Sequence, residues 1–362
     1  MSEIRKRERV EPAPKRESED LLAQVSKIHG PNVMRKATVA GQWKHIPLDI
    51  FTLDMGMFGG LPRSAISMFY GWEASGKTTF GVRGLARAQQ MFPDQRVALI
   101  DAEGTYDPVW GATHGVRNEE MYLVQPESGE QALDIANGLI RSKDISMVMV
   151  DSLPALSPGK EQEKSLEDAT VALQALLIGR FIRTVNAAIL DERKRAHLPV
   201  LLLINQWRSK IAFMGDTRRL PGGDAIKFFV FNRIELMNKE VLGKDDRGVE
   251  IVLHNDHSFK ITKLKEGNGI RNGTFTMIRD PHHPLGAGFI DEAETVVSTA
   301  KQFGVWAGAG SNQRFDDIDK RFATMKEGQE YLYANPDYFD ALKKRLISMH
   351  RQHMNLPPDG WL

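Results

Sequence analysis

Between residues 66 and 204 the chain alternates between short, continuous apolar runs and longer segments with helical spacing. The runs are Ile66–Tyr70, Arg96–Asp101, Met147–Asp151 and Pro199–Ile204. None shows the in–out alternation of a half-exposed strand, so each predicts a strand covered on both faces. The intervening segments repeat apolar residues every three or four positions. Ala132, Ile135, Ala136 and Leu139 do so within Gly129–Ser142, and Leu173, Leu176, Leu177, Phe181, Val185 and Ile189 within Ala169–Glu192. Strands separated by helices imply a parallel sheet sandwiched between helical layers.

The pattern changes on either side. Ser18-Glu-Asp opens a short amphipathic helix with Leu21, Val25 and Ile28 on one face, stopped by Gly30-Pro31. So short a helix needs a partner for its apolar face, either its own core or a neighbouring subunit. After Ala225 the segments Phe228–Met237, Val249–Leu253, Phe259–Leu264 and Thr274–Ile278 predict consecutive antiparallel strands. Pro281-His-His-Pro284 marks a boundary, followed by helices around Glu292–Phe303, Met325–Ala334 and Asp337–His350. The expected divisions are a disordered tail at 1–17, a helix and linker at 18–45, a core at 46–284, a small α-rich domain at 285–350 and a tail at 351–362.

Composition narrows the class. At 362 residues, 41% hydrophobic and 26% charged, the chain has the make-up of a globular protein. Its formal net charge of +1 means that any nucleic-acid contact must come from local basic patches. It contains no cysteine, which excludes disulfides and thiolate metal sites. No apolar run is expected to reach membrane-span length, and the charged start is unlike a signal peptide. The expected compartment is the cytoplasm.

The chemistry gathers at the strand ends. Gly71-Trp72-Glu73-Ala74-Ser75-Gly76-Lys77-Thr78-Thr79 carries the phosphate-binding loop pattern between a buried strand and a helix. Its glycines let backbone N–H groups converge on an anion, and the helix N-terminus favours the same charge. Lys77 would meet β- and γ-phosphates, and the Thr78 hydroxyl would ligate Mg²⁺. Asp151, ending another buried strand, would hold the same metal through water. Asp101-Ala-Glu103-Gly-Thr-Tyr-Asp107 ends a third strand, where ligand groups collect in open α/β sheets. Glu103 is assigned as the base for the attacking water, with Asp101 and Asp107 as structural alternatives. Asn205-Gln206 ends a fourth strand, where an amide can sense a γ-phosphate. The segment Trp207–Gly223 interleaves Arg208, Lys210, Arg218 and Arg219 with Ile211 and Phe213, and ends in Gly222-Gly223. It suits a loop that grips a phosphate backbone and wedges an apolar group between bases.

These stretches together resemble RecA-type strand-exchange recombinases of the bacterial or bacteriophage kind, over nearly everything from Leu21 to His350. The carrying segments also include Met149–Pro158, Ile204–Ile211 and Gly222–Phe228. The resemblance implies an α/β fold: a RecA-like P-loop ATPase core whose mostly parallel central sheet is extended by antiparallel strands, with a short N-terminal helix and a small α-rich C-terminal domain. It also implies a DNA-dependent ATPase that uses ATP and Mg²⁺, forms helical filaments on single-stranded DNA and pairs them with homologous duplex DNA. Single-strand-binding and loader proteins are further implied partners. The family's catalytic glutamate falls on Glu103, its γ-phosphate sensor on Gln206 and its adenine-stacking aromatic on Trp110. Its two DNA loops fall on Ser157–Ala169 and Trp207–Gly223. Its two lysines that enter the neighbouring subunit's nucleotide site fall on Lys263 and Lys265. By spacing alone those two share one face of a strand, and solvated edge lysines would look the same. The family's N-terminal helix docks on the next subunit.

The chain departs from the family in places. Gly159–Asp168 is acidic, Val171 stands where the family often has a longer wedge, and Leu176 where an arginine is common. Arg351–Leu362 lacks the family's acidic tail. Two rival readings are a ring-forming ATPase with the same core, such as a replicative helicase, and a recombination mediator that binds ATP but hardly turns it over. The glycine-ended second loop opposes the first, and the set of Lys77, Glu103 and Asp151 opposes the second.

Overall fold

A computed structural model describes residues 17–30, 34, 43–157, 167–209, 218–245 and 247–358. It divides into two compact units, Met1–Gln42 and Trp43–Leu362. Within the first, helix α1 runs from Glu17 to His29, with acidic residues in its first turn and Lys27 and His29 in its last.

The second unit opens with β1 (His45–Ile46), α2 (Phe51–Gly56) and β2 (Leu61–Pro62). Next come β3 (Ala65–Gly71), α3 (Lys77–Met91), β4 (Arg96–Asp101), α4 (Pro108–Thr113), β5 (Met121–Val124), α5 (Gly129–Arg141) and β6 (Ile145–Asp151). Then follow α6 (Glu167–Lys194), β7 (Val200–Gln206), β8 (Arg208–Ser209), β9 (Arg218–Arg219), α7 (Gly223–Phe229), β10 (Asn232–Lys244), β11 (Glu250–Leu264) and β12 (Asn272–Ile278). The chain continues through β13 (Ile290–Asp291), α8 (Ala293–Gln302), β14 (Trp306–Ala307), β15 (Arg314–Phe315), α9 (Met325–Ala334) and α10 (Pro336–His353).

One nine-stranded sheet organises this unit, in the order β13-β12-β11-β10-β3-β7-β6-β4-β5. From β10 to β5 every pairing is parallel, and β10 to β13 pair antiparallel. The central strands are buried on both faces, as their unbroken apolar runs require. Phe69, Leu99, Met149 and Leu202 pack against Phe80 and Leu85 of α3. Met68, Ile100, Val150 and Leu203 face α5 and α6 on the other side.

Several strand assignments need correction. The expected strand at Phe228–Met237 is the end of helix α7 followed by the start of β10. The expected pair Val249–Leu253 and Phe259–Leu264 is one long strand, β11. The polar run His254–Ser258 reads as a turn, yet it pairs with β10 on one side and β12 on the other, burying Asn255 and His257. The short elements α2, β5 and the β14–β15 hairpin were not expected at all. Helix α6 also contains a stretch, Ala172–Lys194, that is long and apolar enough to cross a membrane, contrary to the sequence expectation. Ile178, Phe181, Ile182, Val185 and Ile189 use that apolarity to cover the sheet, so it is a core helix.

Helices α8 to α10 share a third core with Phe51 and Met55 of α2. Pro281–Pro284, the expected boundary, lies in the connection between β12 and β13. Two carboxyl groups are enclosed beside this core. Asp54 accepts the N–H groups of Leu48 at 2.9 Å and Ile50 at 3.3 Å, and Glu292 accepts that of Phe51 at 2.5 Å. Burial pushes Asp54 up to about 7 and Glu292 up to about 8, against the pull of Lys343 on both. A raised carboxyl pKa means that the folded state binds the proton more tightly than the unfolded one. Stability from these groups is therefore full at acid pH and is lost as pH rises through their folded values. Glu292→Gln keeps the Phe51 N–H bond and removes one titration. Its thermal midpoint should fall less steeply between about pH 5 and pH 8 than the parent's. An identical slope in a pH series of melting curves would count against the assignment.

Candidate nucleotide-binding and DNA-contacting site

The phosphate loop lies at the carboxyl edge of the sheet, between β3 and α3. Close packing dictates its glycines. A Cβ on Gly71 would come within 2.2 Å of the Leu236 carbonyl oxygen. Gly76 has φ 89°, and a Cβ there would meet the Phe80 ring at 2.6 Å. Trp72, Glu73 and Ala74 stand exposed on the crown of the loop, Ser75 is buried beneath it, and Asn238 of β10 donates to the Ala74 carbonyl at 3.1 Å. Lys77 is buried. Its ammonium donates to the Trp72 carbonyl at 2.6 Å and to Ser75 Oγ at 3.2 Å. Burial lowers its pKa, opposed by the charges of Asp151, Glu103 and Glu73.

The neighbouring strand ends converge on this loop. Thr78 Oγ1 donates to Asp151 Oδ2 at 2.5 Å. Burial pushes Asp151 up to about 6, opposed by that hydrogen bond and by Lys77. Glu103 is exposed, and its Oε1 accepts both the Ser152 hydroxyl and the Gln206 amide, the latter at 2.7 Å. The three strand ends thus meet at one carboxylate oxygen. Both alternatives for the base are engaged by backbone N–H groups. Asp101 is buried and accepts the N–H groups of Thr105 at 3.2 Å and Tyr106 at 3.1 Å, shaping the loop that presents Glu103. Asp107 caps α4 by accepting the Val109 N–H at 2.8 Å.

Trp110 projects from α4 toward the phosphate-loop helix. Its indole N–H donates to Thr79 Oγ1 at 3.2 Å, and the Arg279 guanidinium lies 5.2 Å from the ring centre. Among the described residues no group of three or more His, Asp or Glu forms a ready-made metal cage. The donor set still fits Mg²⁺. The Thr78 hydroxyl and the Asp151 carboxylate are adjacent oxygens beside a phosphate loop, and Mg²⁺ takes few protein ligands besides phosphate and water.

The second loop leaves this edge directly. Arg208 pairs with Arg219 and Ser209 with Arg218 in the β8–β9 ribbon, which gathers three arginines at the loop's neck. Arg208 is less free than expected, because it donates to the Pro154 carbonyl at 3.0 Å. Arg218 lies 5.0 Å from the Trp207 ring centre, and the Trp207 indole donates to Glu235 at 2.9 Å. Lys210, Ile211 and Phe213 lie outside the described residues, as do 158–166 of the first loop and the terminal segments 1–16 and 359–362. Gly222 and Gly223 lead into α7. Of the two amides at this strand end, that of Asn205 donates to the Pro221 carbonyl at 3.0 Å and so ties the sheet end to the loop end.

Lys263 and Lys265 lie elsewhere. Gly71 is level with Leu236, and Leu236 with Phe259, whereas Met68 is level with Arg233, and Arg233 with Lys263. The end of β11 therefore approaches the edge opposite the chain's own phosphate loop. Lys263 Nζ donates to the carbonyls of Lys227 at 2.5 Å and Phe228 at 3.1 Å, at the end of α7. Burial, then the charges of Lys265 and Arg233, pushes Lys263 down to about 8. Lys265 is exposed.

The RecA N-terminal domain family matches residues 18–280. The chain is 31% identical to the protein RecA of Bacillus subtilis (strain 168) over 318 residues, 87% of this chain and 84% of that one. It is 31% identical to the protein RecA of Herpetosiphon aurantiacus over 331 residues, 90% and 86% of the two chains. It is 32% identical to the protein RecA of Bifidobacterium longum over 339 residues, 92% and 81% of the two chains.

Proposed function

The chain belongs to the RecA family, and on that basis we propose how its own residues perform ATP-dependent DNA recombination. The protein forms filaments on single-stranded DNA, pairs that strand with homologous duplex and hydrolyses ATP when DNA is bound. One observation carries the reading: the Glu103 carboxylate takes hydrogen bonds from Ser152 and Gln206 at the edge where Lys77, Thr78 and Asp151 gather. A water lying between Glu103 and a γ-phosphate would be oriented by the carboxylate and lose its proton to it. An ATPase assay with and without single-stranded DNA tests the reading. Turnover that is absent, or indifferent to DNA, would sink it.

Each residue then has a task. Gly71–Thr79 cradles the phosphates with backbone N–H groups, and Trp110 stacks on adenine. Thr78 and Asp151 hold Mg²⁺, which when bound neutralises charge on the phosphates. Lys77 exchanges its bonds to Trp72 and Ser75 for bonds to phosphate oxygens. Lys77→Ala should weaken ATP binding about a hundredfold, the worth of a charge-assisted pair in a buried site. ATP-dependent binding of single-stranded DNA should fall with it. Titration with a fluorescent ATP analogue checks the first effect and oligonucleotide anisotropy the second.

Gln206 and Asn205 link nucleotide to DNA. With ATP present the Gln206 amide turns to the γ-phosphate, while Asn205 holds Pro221 at the end of the Trp207–Gly223 loop. ATP thereby favours the DNA-gripping state, and phosphate release relaxes it. Arg208, Lys210, Arg218 and Arg219 take the phosphate backbone, with Ile211 and Phe213 between bases and Gly222-Gly223 as the hinge. Residues 18–45 serve polymerisation, 46–284 form the ATPase core and 285–350 a smaller C-terminal part. Lys263 and Lys265 act on the neighbouring subunit's nucleotide. The cytoplasm is the compartment, and single-strand-binding and loader proteins are partners of the filament.

A further inference from the structure

Glu266 directly follows Lys265, outside β11 and without backbone pairing in the sheet. Lys265 is exposed, and Glu266 is only 6% exposed. Its carboxylate accepts from His45 Nε2 at 2.7 Å and lies 3.6 Å from Arg351 Nη1. Burial lowers the His45 pKa, against the pull of Glu266, and the ring nitrogen that faces the carboxylate is the donor. Arg351, in helix α10, is fully buried and also donates to the carbonyls of Phe58 at 2.5 Å and Pro357 at 2.7 Å. Gly267 then turns with φ 57°, so close to Phe58 that a Cβ would lie 2.8 Å from the ring. The segment after Lys265 is thus pinned from β1 and from α10. Desolvation offsets much of the attraction in a buried ion pair, so these contacts count here for where they hold Glu266 rather than for stability.

We propose that His45, Glu266 and Arg351 form a buried clamp that fixes the backbone carrying Lys263 and Lys265, which makes Glu266 a positioning residue for ATP hydrolysis in the neighbouring subunit. The proposal rests on the reading that those lysines act in trans. It gives helix α10, which lies beyond residue 280 where the family match ends, a part in supporting the active site. A loosened clamp should impair a subunit as a donor of lysines and leave it intact as a holder of ATP, because its own phosphate loop is at the other edge of the sheet.

The experiment mixes two proteins on single-stranded DNA. The acceptor carries Lys263→Ala and Lys265→Ala. The donor carries Glu103→Gln, alone or with Glu266→Gln. The plain donor should restore ATPase activity. Donor with Glu266→Gln should restore about tenfold to a hundredfold less, as displaced catalytic groups do. The loss should fall on kcat with KM for ATP unchanged. Glu266→Gln placed in the acceptor instead should leave the recovery intact. If removing one buried charge unfolds the donor, judged by melting and DNA binding, Glu266→Asp takes its place. It keeps the charge but cannot hold both partners from the same backbone position. Equal recovery by a folded clamp variant and by the plain donor overturns the clamp, as does an equal loss when the change sits in the acceptor. No recovery with the plain donor overturns the trans reading instead.

Discussion

Glu103→Gln should bind ATP and single-stranded DNA as the parent does, yet turn ATP over about 10²- to 10⁴-fold more slowly, the range for losing a positioned general base. The geometry gives the reason. Both hydrogen bonds to Glu103 arrive at Oε1, from Ser152 and Gln206. They fix the side chain's direction, and on the proposed reading the second carboxylate oxygen would meet the water. Glutamine has the same shape and can offer its carbonyl to the same two donors, but it cannot take a proton. Lys77, Thr78 and Asp151 make no hydrogen bond to Glu103, so the phosphate and metal contacts survive. The expected protein holds DNA in the presence of ATP and does not let go. Phosphate release on single-stranded DNA, measured beside oligonucleotide anisotropy, separates the two properties. Near-normal hydrolysis would remove Glu103 from the role of base.

How much of this could be read from sequence follows from which interactions are local. The strand–loop–helix around Gly71–Thr79 is local in chain and in space, and its pattern survives in the sequence. So do Asp151 and Gln206, the last residues of their strands, and Glu103, two residues past the end of β4, because buried strands are continuous apolar runs that end at the ligand edge. What binds these residues together is not local. Ser152 is 49 residues from Glu103, Lys263 is 36 from Lys227, and Glu266 is 221 from His45. No periodicity carries such pairs. The misread strand β11 has a related cause. His254–Ser258 is polar, and polarity signals a turn unless neighbours on both sides satisfy it. Strands β10 and β12 do so, and sequence does not show them. Helix α7 was missed because a helix of Gly223–Phe229 is too short for a period to emerge beside the apolar stretch that follows. Asp101 and Asp107 could not be told from Glu103 by type or spacing. Only the hydrogen bonds that Asp101 and Asp107 accept from backbone N–H groups set them apart from Glu103.

The double variant Lys263→Ala, Lys265→Ala should lose DNA-stimulated hydrolysis about 10³-fold or more, as sites that stabilise a transferring phosphoryl group with a neighbour's cation do when that cation goes. Its own Lys77, Thr78, Asp151 and Glu103 are intact, so a self-contained site predicts almost no effect. The sheet register makes the contrast sharp. Lys263 is level with Arg233 and through it with Met68, midway along β3, and β11 runs on from there away from Gly71, where the phosphate loop begins. Lys263 bonds to the carbonyls of Lys227 and Phe228 and not to the phosphate loop. On the proposed reading, one subunit's lysine edge would meet the next subunit's phosphate-loop edge in a head-to-tail assembly, and each site would be built from two chains. Lys263 must then leave the carbonyls of Lys227 and Phe228, at the end of the helix that the Trp207–Gly223 loop runs into. On the trans reading, DNA held by the Trp207–Gly223 segment would reach the hydrolytic site through α7, by freeing this ammonium for the neighbour. The demand on mixtures follows. Glu103→Gln subunits keep their lysines, and the lysine-free subunits keep Glu103. Each is nearly silent alone. Mixed in equal amounts on single-stranded DNA, about a quarter of the head-to-tail junctions pair an intact Glu103 with intact lysines. ATPase activity should return in that proportion and scale with the product of the two fractions as the ratio is varied. A mixture no more active than its components, in filaments shown to contain both proteins, would mean that the lysines do not act across the junction.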